Sequence, residues 1–242
     1  MILAAGLGTR LRPLTETTPK ALIPVNGVPL LEIVIRRLES YGFQEIIINV
    51  HYLAEQISAF LREKRNFGLD IRISHETDQL LETGGGLKRA AWFFDDKQPF
   101  LVHNVDILSD VDLRQLYDAH CRSAALATLA VSNRRSARAF LFNRELRLCG
   151  WQNTATGERR ITRPTPAADL TPLAFSGIHV IEPAMFAFMP EQSVFSLTEL
   201  YIRLAAAQQI GAFRHDGARW LDVGSKEHLA QAGALLSNYK DF

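Results

Sequence analysis

The spacing of apolar positions alternates along the chain between a period near 3.6 residues and a period near 2, and each switch marks a new element. "PLLEIVIRRLESYG" sets Leu30, Leu31, Val34, Leu38 and Tyr41 on one helical face and stops at Gly42, a residue suited to a left-handed cap. "EIIINV", residues 45–50, is continuously apolar and rich in Ile and Val, which predicts a strand buried on both faces. "LAEQISAFLREKRNFG" returns to helical spacing through Leu53, Ile57, Phe60 and Leu61. "LDIRIS" alternates as a strand, "GLKRAAWFF" suits a helix, and "FLVHNVDIL" reads as a strand again.

This βαβαβαβ order predicts an α/β fold: a doubly wound, mostly parallel, Rossmann-like sheet with helices on both faces. Ligands of such sheets sit beyond the carboxyl ends of the strands. The second half predicts a small mixed β excursion. "ALATLAVS" and "AFSGIHVI" read as strands, and "AFLFNRELRLCGWQN" reads as a hairpin turning near Asn143 and Arg144. Residues 154–171 are polar, carry prolines and predict an irregular excursion. Ser196 with Glu199 forms a capping-box pattern ahead of "LTELYIRLAAAQQ". "GAFRHDGARWLDVG" predicts a strand, an Asp-Gly turn and a second strand, followed by a helix capped by Ser225. No internal repeat or low-complexity linker interrupts the chain, which predicts a single domain over 1–242.

Composition narrows the options. Of 242 residues, 47% are hydrophobic, and 27 basic side chains face 26 acidic ones for a net charge of +1. That balance argues against a nucleic-acid footprint, so a bound anion must be held locally. The two cysteines, Cys121 and Cys149, lack the spacing of a thiolate zinc site or a disulfide framework. The seven histidines show neither HxH nor HExxH spacing. No leader-like or membrane-length apolar run is present, so the expected compartment is the cytoplasm.

Chemistry concentrates in "LAAGLGTRLRPLTETTPKALIPV", Leu3 to Val25. A dinucleotide fingerprint needs a third glycine where Leu11 stands, and a P-loop needs GxxxxGK[ST], which is absent. Pro13, Pro19 and Pro24 bias the segment toward an extended loop. Gly6 and Gly8 let backbone amides approach an anion, and Arg10, Arg12 and Lys20 add cations, a combination suited to a polyphosphate.

The same stretch resembles the signature of the sugar-1-phosphate nucleotidyltransferases, the nucleotide-sugar pyrophosphorylases, roughly GxGTRxxPxTxxxPKxxxPV. The resemblance implies transfer of NMP from an NTP to a sugar 1-phosphate with release of pyrophosphate. It implies Arg10, Lys20 and Asp106 as catalytic residues, Arg10 on the β- and γ-phosphates and Lys20 between the α-phosphate and the sugar phosphate. It assigns Mg2+ (or Mn2+) to Asp106 and Asp222, the latter in "RWLDVG", similar to the family's tryptophan-x-aspartate-x-glycine element. The nucleotide is assigned to Leu3, Ala4, Ala5, Gly6, Gly8, Thr9, Glu82, Thr83, Gly85 and Asn104. "ETGGG" is similar to the form in members that act as N-acetylmuramate-1-phosphate uridylyltransferases and in some mannose-1-phosphate guanylyltransferases.

Two departures stand out. Val105-Asp106 replaces the family's Gly-Asp, and the Glu-Lys-Pro element that holds the sugar phosphate in many relatives is absent. The sugar side then falls to Arg138, Asn153, Ser176 and Gly177. The resemblance divides the chain into a nucleotide-binding half, 1–123, and a sugar-binding half, 124–242. The implied partners are a nucleoside triphosphate and a sugar 1-phosphate, with no nucleic acid and no membrane, in a monomer or homodimer. Two alternatives stay open: a cytidylyltransferase for a non-sugar phosphate such as phosphocholine, and an inactive nucleotide-binding homologue.

Overall fold

A computed structural model describes residues 1–237. The chain starts with β1 (Ile2–Leu3), a helical turn α1 (Leu14–Thr17), and a hairpin of β2 (Pro24–Val25) and β3 (Val28–Pro29). Then come α2 (Leu30–Ser40), β4 (Glu45–Val50), α3 (Ala54–Glu63), β5 (Asp70–His75) and α4 (Glu82–Arg89). β6 (Phe100–Asn104), β7 (Ile107–Ser109), α5 (Leu113–Cys121), β8 (Ala127–Ser132), β9 (Arg138–Phe142), β10 (Leu148–Asn153) and β11 (Glu158–Ile161) follow. The order ends with β12 (Thr171–Ile181), α6 (Leu197–Leu204), β13 (Ile210–Arg214), β14 (Trp220–Asp222) and α7 (Lys226–Ser237). The expected α/β class forms, and among the described residues no helix is long and apolar enough to cross a membrane.

Contacts divide the chain into two units. The first holds Met1–Leu81, His103–Asp110 and the segment from Arg219 onward. β1, β4, β5 and the end of β6 pair in parallel, the connections between them passing through helices rather than tight turns. β1 lies between β4 and the end of β6, with Ile2 opposite Ile48 and His103, and Leu3 opposite Asn49 and Asn104; β5 extends the sheet from β4. The apolar run of β4 is buried as predicted, Ile46, Ile47 and Ile48 being at most 1% exposed. α2 buries Ile33 and Ile35 as well as Leu30, Leu31, Val34 and Leu38 of its predicted face, while Tyr41, just past the helix, is half-buried. The helix is closed at Gly42, whose φ of 88° lets Gly42 N and Phe43 N bond back to Glu39 O and Leu38 O. A second apolar cluster joins Ile23, Val25, Leu30, Ile33, Leu108, Val223 and Ala232.

The second unit, Glu82–Val102 and Val111–Ala218, is mixed. β12 pairs antiparallel with β8 and β9, β9–β10–β11 form an antiparallel meander, and β13 runs parallel to β8. Phe94, Phe100 and Phe186 stack within it, the first two with centroids 3.8 Å apart. Both cysteines are free.

Several local expectations are corrected. "FLVHNVDIL" is two strands, broken at Val105-Asp106, because β7 turns to pair with β14. The strand, Asp-Gly turn and second strand all form, with Ala218 N donating to His215 O at 2.9 Å, but the two strands do not pair as a hairpin: β13 pairs with β8 and β14 with β7. Asp216 accepts from Asn133 N and Arg214. Residues 154–171 contain a regular strand, β11, on the edge of the meander. Ser196 caps α6 by accepting from Thr198 N, while Glu199 takes a bidentate bond from Arg160, so no reciprocal capping box closes.

Candidate functional site

The loop after β1 is folded, not extended as the prolines suggested. Thr9–Leu11 and Lys20–Leu22 are 3-10 turns with α1 between them. Proline's fixed φ suits the start of a helical turn as well as extended chain, and Pro13 takes the first option, with ψ −5°, at the entry to α1. Leu11, 0% exposed, pins the loop to the core. Gly8 has φ +62°, its carbonyl accepts from Thr15 Oγ1 and Leu11 N, and a Cβ there would lie 2.8 Å from Thr15 Cγ2. Only glycine meets both demands. Gly6 and Leu7 stay exposed at the loop tip, whereas Ala4 and Ala5 are buried against the sheet. Thr9 is exposed beside them.

Leu3, Asn49 and Asn104 lie side by side at the carboxyl ends of β1, β4 and β6, where a parallel sheet presents its ligands. Asp106 follows two residues later. Its neighbour in space is Asp222, because β7 and β14 place Ile107 opposite Asp222 and Val223 N donates to Asp106 O at 2.8 Å. The two aspartates, far apart in sequence, are thereby brought together.

Two cations stand against these carboxylates. Lys20 Nζ makes an ion pair with Asp106 Oδ2, both side chains largely screened from solvent, at 11% and 22% exposure. Arg10 keeps its guanidinium mostly in solvent, 3.9 Å from Asp222 Oδ2. Burial, and then the charge of Asp106, raise the pKa of Asp222; Lys20, Arg10 and His228 oppose that rise. His228 Nδ1–H donates to the Asp222 carbonyl at 2.7 Å, and Ser225 Oγ accepts from His228 N at the predicted cap of α7. A Cβ on Gly224 would lie 2.5 Å from Arg10 Nη2 and 2.7 Å from Asp222 Oδ1, so this glycine leaves room for the pair.

Whether these residues suit a hard divalent cation can be tested on Asp222 itself. Its Oδ1 is buried and has no hydrogen-bond partner among the described residues, a costly state for a carboxylate oxygen unless something else ligates it. Mg2+ keeps several waters and is commonly held by one or two carboxylates plus substrate phosphates. Asp106 and Asp222 match that donor set. Among the described residues no group of three or more His, Cys, Asp or Glu offers an all-protein cage.

The remaining predicted residues belong to the second unit. Glu82 is exposed with φ +60°. The three glycines after Thr83 lie inside α4 and not before a helix. Phe195 O accepts from both Gly84 N and Gly85 N, at 2.9 and 3.2 Å, and Thr83 Oγ1 accepts from Leu197 N. The amide of Gly85 and the hydroxyl of Thr83 thus brace the 195–197 segment. Arg138 is exposed and stands opposite Asn153 across β9 and β10; Asn153 Oδ1 accepts from Ala155 N. Ser176 is fully buried, its Oγ bonded by Arg134 Nη1 at 2.8 Å and by His215 Nε2 at 2.7 Å, and Gly177 follows with φ +74° at a bulge in β12. Sequence reasoning missed Arg134, His215, His228 and the buried Asn49–Glu76 pair. None has a motif spacing that would have marked it.

A family model described as Nucleotidyl transferase matches residues 1–238. The chain is 33% identical over 243 residues to the N-acetylmuramate alpha-1-phosphate uridylyltransferase of Caulobacter vibrioides, covering 98% of this chain and 96% of that protein. It is 34% identical over 248 residues to the enzyme of the same name from Neisseria meningitidis serogroup B, covering 99% of each. A solved structure of HddC from Yersinia pseudotuberculosis, complexed with GMP-PN, superposes with a TM-score of 0.77 at 22% identity over 97% of each chain, a likeness of fold.

Proposed function

The chain belongs to the nucleotidyl transferase family, and from that premise we propose that it transfers UMP from UTP to N-acetylmuramate α-1-phosphate, giving a UDP-sugar and pyrophosphate. The broader activity, an NMP transfer to a sugar 1-phosphate, follows from the family. The choice of base and sugar rests on the two relatives matched over nearly their full lengths. The observation that carries the chemistry is the cluster of Lys20, Arg10, Asp106 and Asp222.

A sugar 1-phosphate is largely dianionic near neutral pH, its second pKa being about 6, so its oxygen can attack the α-phosphorus without a general base. The bond from the α-phosphorus to the bridging oxygen breaks as the new one forms, and pyrophosphate leaves with that electron pair. What opposes the step is repulsion between anions, so positioning and electrostatic stabilisation dominate. Lys20 moves from Asp106 to the α-phosphate and the incoming sugar phosphate. Arg10, already exposed, meets the leaving pyrophosphate. Asp106 and Asp222 would hold Mg2+ (or Mn2+), which supplies charge neutralisation at the phosphates. The loop head Leu3–Thr9 and Asn104 hold the nucleotide. Glu82 and the first turn of α4, with Thr83 and Gly85, serve the base; Arg138 serves the sugar phosphate, and Asn153, Ser176 and Gly177 shape the sugar side.

The test is a matrix of UTP, GTP, CTP and dTTP against N-acetylmuramate-, glucose-, mannose- and heptose-1-phosphates, reading pyrophosphate. UTP with N-acetylmuramate α-1-phosphate should give the highest kcat/KM. Asp106→Asn should abolish metal-dependent pyrophosphate release with an unchanged circular dichroism spectrum; full activity in that variant sinks the assignment of the cation to Asp106.

A further inference from the structure

We infer that Glu76 is a positioning residue for nucleotide binding, acting through Asn49 on the amide at the head of the phosphate loop. The inference rests on the proposed NMP transfer. Glu76 follows β5 and is 1% exposed; Asn49, in β4, is 2% exposed. Glu76 Oε1 accepts from Asn49 Nδ2 at 2.6 Å, and Asn49 Oδ1 accepts from Ala4 N at 2.9 Å, an amide that also makes a longer bond, 3.2 Å, to Asn49 O. The other carboxylate oxygen, Oε2, accepts from Leu81 N at 2.8 Å. Glu76 is itself held by its backbone: its N–H donates to Val50 O at 2.8 Å, and His51 Nδ1–H donates to its carbonyl at 2.6 Å.

One buried carboxylate therefore holds two stretches of chain. Ala4 opens the loop that runs to Arg10 and Lys20, and Leu81 immediately precedes Glu82, Thr83 and Gly85. Packing alone does not call for this arrangement. A buried charged group is costly unless its bonds are complete, and an apolar pair of similar volume is often as stable. What a carboxylate provides and an apolar side chain cannot is two directed acceptors with fixed geometry, which set where the Ala4 and Leu81 amides lie before nucleotide arrives. Fixing a binding loop in advance improves affinity by removing an ordering cost.

The donor and acceptor pattern makes the inference testable by exchange. In Glu76→Gln the carboxamide has one acceptor oxygen, so either Asn49 or Leu81 faces an NH2 group. Adding Asn49→Asp restores every bond with the roles inverted: the new carboxylate accepts from Ala4 N and from the new carboxamide, whose oxygen accepts from Leu81 N. Steady-state pyrophosphate release, read well below each variant's melting temperature, gives the answer. Glu76→Gln should raise the KM for UTP about tenfold, the usual scale for one buried amide left facing the wrong partner, with the KM for the sugar 1-phosphate unchanged. The double variant should return to within about threefold of wild type. Asn49→Ala, which leaves Glu76 bonded to Leu81, should raise the KM for UTP by a smaller factor, and it carries the test if Glu76→Gln does not fold. Unchanged KM for UTP in the single variants alongside lowered melting temperatures overturns the inference and leaves Glu76 a structural residue; so does a double variant as impaired as Glu76→Gln. A wild-type protein that releases no pyrophosphate with any sugar phosphate defeats the proposed function instead, and the dissociation constant for UTP, by calorimetry, then decides the role of Glu76 in the same set of variants.

Discussion

Replacing Lys20 by methionine keeps the length and apolar stem of the side chain and removes its ammonium from Asp106. The consequence for the fold is bounded by the geometry. Two opposite charges about 4 Å apart attract by roughly 4 kcal/mol at an effective dielectric constant near 20. Much of that is offset because Asp106, 22% exposed, regains water when the ammonium leaves. A net loss of about 1–2 kcal/mol remains, which lowers the melting temperature by roughly 2–8 °C in a chain of this size. Catalysis suffers more, since removing one preorganised charge at a developing anion typically costs about 100- to 1,000-fold in kcat. A third effect has the opposite sign: with the ammonium gone, the carboxylates of Asp106 and Asp222 face one competing cation fewer, and Mn2+ should bind more tightly in the absence of nucleotide. Melting curves, pyrophosphate release and Mn2+ titration by electron paramagnetic resonance read the three effects separately. Turnover within threefold of wild type, or weaker Mn2+ binding, refutes the assignment of Lys20 and of the carboxylate pair.

Three further outcomes follow from the geometry. Gly224→Ala places a methyl group against Arg10 Nη2 and Asp222 Oδ1; with the exposed Arg10 forced aside, kcat should fall by about 10- to 100-fold at nearly unchanged melting temperature. Gly84→Ala adds a Cβ 2.7 Å from Phe195 O and closer still to the Phe195 ring. Because that carbonyl is held by two amides, the overpacking, about 1–3 kcal/mol, should outweigh the gain in helix propensity of roughly 1 kcal/mol, and a rise in the urea midpoint would contradict this. His103 is 0% exposed, and burial, reinforced by Arg37, lowers its pKa to about 3. The unfolded chain binds a proton at this site below about pH 6.5 and the folded chain does not until about pH 3, so the stability contribution is complete above pH 6.5 and is lost as pH falls between those values. The loss per pH unit is of order 1 kcal/mol. Urea midpoints at pH 7 and pH 5 should converge in His103→Gln relative to wild type; an unchanged difference argues against a neutral, buried His103.

Much of the site was legible in the residues themselves. Glycine at position 8 answers a left-handed backbone, and arginine at 10 and lysine at 20 stand out in the sequence as a planar fork and a point charge of the kind suited to an anion. The parallel order of β1, β4, β5 and β6 was legible because an apolar run bounded by helices reports burial on both faces. The glycines of "ETGGG" misled, because glycine usually weakens a helix and only the packing of Phe195 against Gly84 shows what the first of them does inside α4.

The sequence by itself determined the α/β class and the cationic loop, since these depend on periodicity and on what one residue type can do, and it singled out the two aspartates only through their family resemblance. Tertiary structure alone decided which partners these residues have. β14 chose β7 over the Asp-Gly hairpin, and that choice set Asp222 beside Asp106. Asn49 and Glu76, unremarkable in their strands, became a bonded pair beneath Ala4. The physical reason is that hydrophobic spacing records whether a side chain is buried, whereas strand pairing and buried hydrogen bonds depend on which distant segments compete for the same edge and the same donor.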